Sequence, residues 1–208
     1  MRDMYKTIDF DAHAEIVEKR SRFIAAVMPV TSEEEAQARL EEVRKKHRDA
    51  RHNIFAYIIE ENGLERCSDD GEPAGTAGVP VLNILKREGL SNVLVVVTRY
   101  FGGILLGTGG LAHAYSKAAK EGLAAAEPVT MRLCREVRIK CAYTLLGKIQ
   151  NELSAFEVLR GDTSYAEDAE MLIYIPAADA ERFKSHITDI TNNAAQIYLG
   201  GEKYKEFK

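Results

Sequence analysis

Apolar positions along this chain recur with one of two periods, and one stretch that follows neither organises the rest. Val93, Leu94, Val95, Val96 and Val97 form an unbroken apolar run. A short β-branched run of this kind reads as a strand buried on both faces, because a half-covered strand would alternate. Polar tips follow at Thr98, Arg99 and Tyr100. Two glycine pairs come next, Gly102-Gly103 and Gly109-Gly110, with Gly107-Thr108 between them. The helical period takes over from about Leu111 to Ala126, with Leu111, Tyr115, Ala118, Ala119 and Gly122 on one face and His113, Lys117 and Lys120 on another.

Upstream, residues from about 5 to 30 read as two strands around a polar tip, Glu18-Lys19-Arg20-Ser21-Arg22, which is a hairpin pattern. The tip holds three basic residues and reads as a solvated turn. A helix is expected over about residues 33–48, capped by Thr31 or Ser32 with Glu34 or Glu35 in capping-box position. Its face is Ala36, Leu40, Val43 and His47. Glu33, Glu34 and Glu35 in the first turn and Lys45, Lys46 and Arg48 in the last complement the helix dipole. Ile54 to Ile59 and Leu64 to Ser68 are strands joined by the Asn62-Gly63 turn, a pairing that brings His52 and Ser68 towards one end of the hairpin. The segment Ser68 to Pro80 combines glycines, prolines and carboxylates, so it is a loop of defined shape. A short helix from Val79 to Arg87 ends at Gly89.

Glu127-Pro128 breaks the pattern and sets a boundary between residues 1–128 and 129–208. Past it the order is complete in itself. Val137, Ile139 and Cys141 alternate with Glu136, Arg138 and Lys140. Leu146, Ile149, Leu153 and Phe156 form a helix face. Val158 to Ala166 and Glu170 to Ile175 form a hairpin, Phe183, Ile187 and Ile190 a second helix, and Ala195 to Leu199 a last strand. This βαββαβ order is the ferredoxin-like split βαβ. The tail from Lys203 is expected to fray.

Composition changes this picture little. The chain has 208 residues, 46% hydrophobic and 29% charged, with a formal net charge of -4. That balance carries no global basic footprint of a nucleic-acid binder, although a local patch can persist within an acidic whole. Cys67, Cys134 and Cys141 are odd in number and scattered, which supports neither a disulfide framework nor a zinc site and points to reduced thiols. With no apolar leader and no run of membrane length, a cytoplasmic protein without a membrane partner is expected.

Candidate chemistry gathers around the central stretch. A strand, a glycine-rich turn and a helix N-terminus together make an anion site, because the first helical N–H groups lack internal partners. The spacing meets neither nucleotide fingerprint. A purely structural role for the glycines, permitting positive φ and close packing, therefore stays open. Asp69, Asp70 and Glu72 are hard oxygen ligands suited to a divalent cation such as Mg²⁺, and equally suited to capping turns. The metal identity is unknown, and no cofactor is required.

The residues Ser68-Asp69-Asp70-Gly71-Glu72-Pro73, Gly75-Thr76-Ala77-Gly78 and Pro80, with Asn92 to Leu111 and Asp49-Ala50-Arg51-His52, resemble the IMPACT family. The two-domain layout is similar to its bacterial YigZ-type members. Ile54, Val79 and His113 depart from the family pattern. The resemblance covers residues from about 15 to 126 in wording and the remainder in layout. It implies an α+β protein. An N-terminal ribosomal-protein-type domain with a left-handed βαβ crossover would precede a ferredoxin-like βαββαβ domain similar to one in elongation factor G. Eukaryotic relatives act in translational control, by competing within the activation of a starvation-responsive initiation-factor kinase; they carry a different partner-binding domain that this chain is expected to lack, so that specific role is not expected to transfer.

Three functions follow as expectations. The first is a non-catalytic nucleic-acid- or ribosome-binding protein in the regulation of translation, with RNA or the translation machinery as partner. Arg51, His52, Arg99, Tyr100, Gly102, Gly103, Thr108, Gly109 and Gly110 would meet phosphate. The second is a metal-assisted enzyme on a phosphorylated or nucleotide-like substrate, with Asp69, Asp70 or Glu72 as ligand or base; no nucleophile–base pair is visible. The third is a protein-interaction module docking through the second domain's sheet. A monomer or weak oligomer is expected.

Overall fold

In a computed structural model the chain is described over residues 2–207. It forms two units, one of residues 5–130 and one of residues 131–207 joined by residues 2–4. The first begins with β1 (Met4–Thr7), then β2 (Ala12–Glu18), β3 (Ser21–Pro29), α1 (Glu33–Lys46), β4 (His52–Ile59), β5 (Leu64–Ser68), α2 (Gly78–Glu88), β6 (Val93–Tyr100) and α3 (Gly107–Ala125). The sheet order is β2-β3-β6-β4-β5 and every pairing is antiparallel.

The valine run is the central strand, and its two parities serve two cores. Val93, Val95 and Val97 join Phe23, Ala25, Val27, Ile54 and Ala56 under α2 and α3. Leu94 and Val96 join Ala26, Met28, Tyr57, Ile59, Leu40 and Val43 under α1. Helices on both faces explain why the strand is apolar at every position. α3 lies so close to β3 that a Cβ on Gly122 would sit 2.8 Å from Val27 Cγ2 and 3.0 Å from Ala25 Cβ. Ser32 caps α1, accepting from the Glu35 N–H at 3.1 Å, while the Glu35 carboxylate accepts from the Thr31 N–H at 2.7 Å.

The structure differs from the expected elements in four places. β1 is an additional strand: Lys6 donates to the Gly89 carbonyl at 3.1 Å and accepts from the Ser91 N–H at 2.9 Å. α3 starts at Gly107, four residues before Leu111, so Gly109 and Gly110 are helical and His113 falls in the second turn. His47 is the C-cap of α1 and not part of its buried face. The segment from Lys203 does not fray, because it continues the last strand of the second unit.

That unit consists of β7 (Val129–Cys141), α4 (Tyr143–Glu152), β8 (Leu159–Tyr165), β9 (Ala169–Pro176), α5 (Ala180–Ile190) and β10 (Gln196–Glu206), with single 3-10 turns after α4 and β9. Its sheet has five strands, β1 also joining β7, and the order β10-β7-β9-β8, with these three pairings antiparallel, is that of a ferredoxin-like sheet. Val137, Ile139, Met171, Ile173 and Ile175 face Ile149, Leu153, Phe183 and Ile187 of the two helices. Lys203, Tyr204, Lys205 and Glu206 pair with Cys134, Leu133, Arg132 and Met131. Among the described residues no helix is long and apolar enough to cross a membrane.

Candidate functional site

Four chain segments end at one edge of the first unit's sheet. β2 turns into β3 there at Lys19-Arg20, both with positive φ (43° and 67°). β4 begins at His52, β6 ends at Tyr100, and α1 delivers His47 as its C-cap. Antiparallel register sets His52 beside Arg99 and Arg99 beside Phe23, and in the next row Tyr100 beside Arg22. The backbone of Gly102 presses on the hairpin tip: a Cβ there would lie 2.0 Å from the carbonyl carbon of Arg20. Glycine is needed here for this close approach.

Beneath this edge lies a buried polar cluster. The Arg99 guanidinium contacts the Glu72 carboxylate at 2.6 Å, and the Tyr115 hydroxyl donates to the same Glu72 oxygen at 2.8 Å. Arg99 is 7% exposed and Glu72 is 9% exposed. The guanidinium is held between rings, 5.5 Å from the centroid of Phe23 and 5.6 Å from that of Phe101. Its buried Nε has no protein acceptor. Burial and the adjacent Glu72 carboxylate push the Tyr115 hydroxyl far above its ordinary value, so this phenol stays protonated. Arg99 therefore forms the floor of the site and is committed to an internal carboxylate.

The three carboxylates of the acidic loop serve three separate networks. Asp69 accepts from the N–H groups of Gly75 (2.7 Å), Ala77 (2.9 Å) and Gly78 (2.8 Å), which caps the start of α2. Asp70 accepts from the Asn53 N–H at 2.6 Å, and its carbonyl lies 2.8 Å from His52 Nδ1. Glu72 serves Arg99 and Tyr115. Among the described residues no group of three or more His, Cys, Asp or Glu could hold a metal ion. Because a carbonyl only accepts, His52 Nδ1 carries the proton, and in the neutral ring Nε2 is left as the acceptor.

The outer surface of the edge is basic. Lys19, Arg20, Lys45, Lys46, Arg48 and Arg51 are exposed. Tyr100 is half-buried, with its hydroxyl 3.0 Å from His47 Nδ1 and the Arg22 guanidinium 5.6 Å from its ring. Desolvation, and then the positive fields of Lys46, His13 and Arg22, pull His47 below its ordinary value. Phe101 and Leu105 are exposed, at 53% and 83%. Gly103, Thr108 and Gly109 are also exposed, and Gly110 is half-buried. The N-terminus of α3 has no side-chain cap and no acidic residue in its first turn, in contrast to the three glutamates of α1. The expected residues thus separate into a buried floor, Arg99, and an outer set, Arg51, His52, Tyr100 and the turn into α3. Sequence reading passed over Lys19, Arg20, Lys45, Lys46 and Arg48. Their signal, basic runs in a turn and in a last helical turn, has an ordinary explanation in each place separately.

The sequence matches the Impact N-terminal domain over residues 19–123 and a domain of unknown function (DUF1949) over residues 139–194. It is 41% identical to IMPACT family member YvyE of Bacillus subtilis, over 97% of this chain and 94% of that protein. It is 34% identical to IMPACT family member YigZ of Escherichia coli, over 86% of this chain and 89% of that protein. The mouse Protein IMPACT is 40% identical over 47% of this chain and 32% of its own length. A crystal structure of a hypothetical protein superposes with a TM-score of 0.61 at 30% identity, covering 98% of this chain and all of that one. Carrying both matched domains and similar to these bacterial proteins along nearly its whole length, the chain belongs to the IMPACT family, in its two-domain bacterial form.

Proposed function

We propose that this protein is a non-catalytic nucleic-acid- or ribosome-binding protein of the cytoplasm that acts in the regulation of translation. In this reading the basic edge of the first unit is its contact surface. The observation that carries it is the convergence of exposed cations from three segments, Lys19-Arg20, Lys45 to Arg48 and Arg51, around half-exposed Tyr100 and exposed Phe101. Cations that track a phosphate backbone and aromatic rings that accept a base are what single-stranded nucleic acid requires. The uncapped start of α3 adds unsatisfied N–H groups beside them. Arg99 supports the surface from below, holding Phe101 outward through the cation–π contact. The family's place in translational control agrees with an RNA or ribosomal partner.

Binding is favoured over metal-assisted hydrolysis because the carboxylates of Asp69, Asp70 and Glu72 diverge into separate hydrogen-bond networks. A hydrolytic metal site needs such ligands to converge.

The test is fluorescence anisotropy against single-stranded RNA, structured RNA and duplex DNA over a salt series, with ribosome cosedimentation alongside. Affinity should fall steeply with salt, and Arg20→Ala/Arg51→Ala should lower both affinity and the salt slope. No binding at low salt together with no cosedimentation would overturn the reading.

A further inference from the structure

The second unit carries an uncovered sheet face of its own. β7 and β9 alternate, so Val137, Ile139, Met171, Ile173 and Ile175 enter the core while Glu136, Arg138, Lys140, Glu170, Leu172 and Tyr174 face the other way. Both helices lie under the core side. On the open side, Tyr174 of β9 stands opposite Glu136, and Tyr198 of β10, 57% exposed, stands opposite Arg138. Lys203 and Lys205, two residues apart on β10, both reach back over Tyr174, with ammonium groups 4.5 Å and 4.4 Å from its ring centroid.

Charge on this face is uneven: Asp162 and Glu170 lie beside Arg138 towards β8 and Asp168 pairs with Lys140, while the β10 end holds Lys203 and Lys205 with Glu136 alone. One carboxylate, Glu136, serves both Lys203 at 3.1 Å and Arg138 at 3.2 Å. Lys205 has no carboxylate within ion-pair distance among the described residues. Two ammonium groups held over one ring repel each other, and an anion placed between them removes that repulsion. An exposed tyrosine next to an arginine on the neighbouring strand offers a stacking platform for a base.

We propose that the β10 end of this open face binds single-stranded RNA, with Lys203 and Lys205 on the phosphates and Tyr198 stacking on a base. The proposal extends the nucleic-acid reading to a second surface and rests on that reading for the class of partner. An antiparallel sheet that presents aromatic residues on its open face is a recurring platform for splayed-out bases. Lys203 and Lys205 at the β10 end supply the charge complementarity to RNA that the chain's net charge conceals.

The experiment uses the full chain and a labelled single-stranded RNA across a salt series. Lys203→Ala/Lys205→Ala removes two ammonium groups from the phosphates and should reduce the slope of log K against log salt by about 1.4, since each phosphate neutralised on a single strand contributes about 0.7. Tyr198→Ala should weaken binding at least about fivefold while leaving that slope unchanged. Tyr198 is exposed, so its variant also guards against loss of fold. If both variants bind as the wild type does while Arg20→Ala/Arg51→Ala has lost affinity, this inference is wrong and the first-unit reading stands. If the wild type binds no RNA, this inference is wrong, and the first-unit reading is then decided by ribosome cosedimentation.

Discussion

Glu72 is the residue on which the floor of the candidate site depends. It is a buried carboxylate whose charge is matched by Arg99 and whose remaining acceptor capacity is met by Tyr115. Removing one partner of such a pair leaves the other charge buried alone, at a cost of about 3–5 kcal/mol. Arg99→Ala is therefore expected to lower the unfolding free energy by that amount, and Arg99→Ala/Glu72→Ala by less than the sum of the single variants. Urea titration of the four proteins measures this, and a melting temperature unchanged in Arg99→Ala would contradict the buried pair. His47 gives a test by pH. Its folded-state value is depressed, so the unfolded chain takes up the proton first as pH falls. The stability it contributes is present above about pH 6.5 and is lost as pH drops below that towards the folded value. Comparing urea midpoints at about pH 7.5 and pH 5.5, His47→Gln should lose less than the wild type. An equal loss in both proteins would place the titration elsewhere.

At the scale of elements, the loop from Ser68 to Gly78 shows what one side chain can organise. Asp69 satisfies three N–H groups around the start of α2, a helix whose N-cap position, Ala77, has no side chain able to do so. Asp69→Ala should cost about 2 kcal/mol. Millimolar Mg²⁺ should leave the melting temperature of both proteins unchanged; a rise in the wild type alone would instead mean that the carboxylates converge on a metal in solution. Gly122→Val should cost about 1–3 kcal/mol through overpacking against Val27 and Ala25, measurable by thermal unfolding. Most elements were legible because period and capping agreed: the valine run, the Ser32 cap and the βαββαβ order all appear in the structure. The misreadings share a physical cause. Glycine is a poor helix former, so Gly107 to Gly110 read as a turn until packing against the sheet imposed a helix on them. β1 and the continuation of β10 are held by pairing with distant strands, and local sequence carries little of that information. Arg99 was visible as a polar strand end, but its commitment to Glu72, 27 positions away, depends on tertiary contact.

For the whole molecule the informative quantity is where charge sits, since the net value of -4 hides the basic edge of the first unit and the lysine pair at the β10 end of the second. Many acidic residues are engaged in ion pairs and caps, such as Glu15 with Arg22 and Asp69 at α2, while Lys19, Arg20 and Arg51 remain outward and Lys205 lies over Tyr174. Two separate surfaces with one polyanionic ligand have a consequence that neither has alone. Once one is bound, the second meets the same strand at a high effective concentration, provided the strand is long enough to reach it. Affinity should then rise between RNAs of about 10 and about 30 nucleotides by more than about tenfold, beyond the roughly threefold gain that extra registers alone provide. Lys203→Ala/Lys205→Ala should return that ratio to the statistical value while keeping affinity for the short RNA, because the first-unit surface is intact. A wild-type ratio already near threefold would mean that the two surfaces do not share a strand, and that the second unit's open face meets its partner separately.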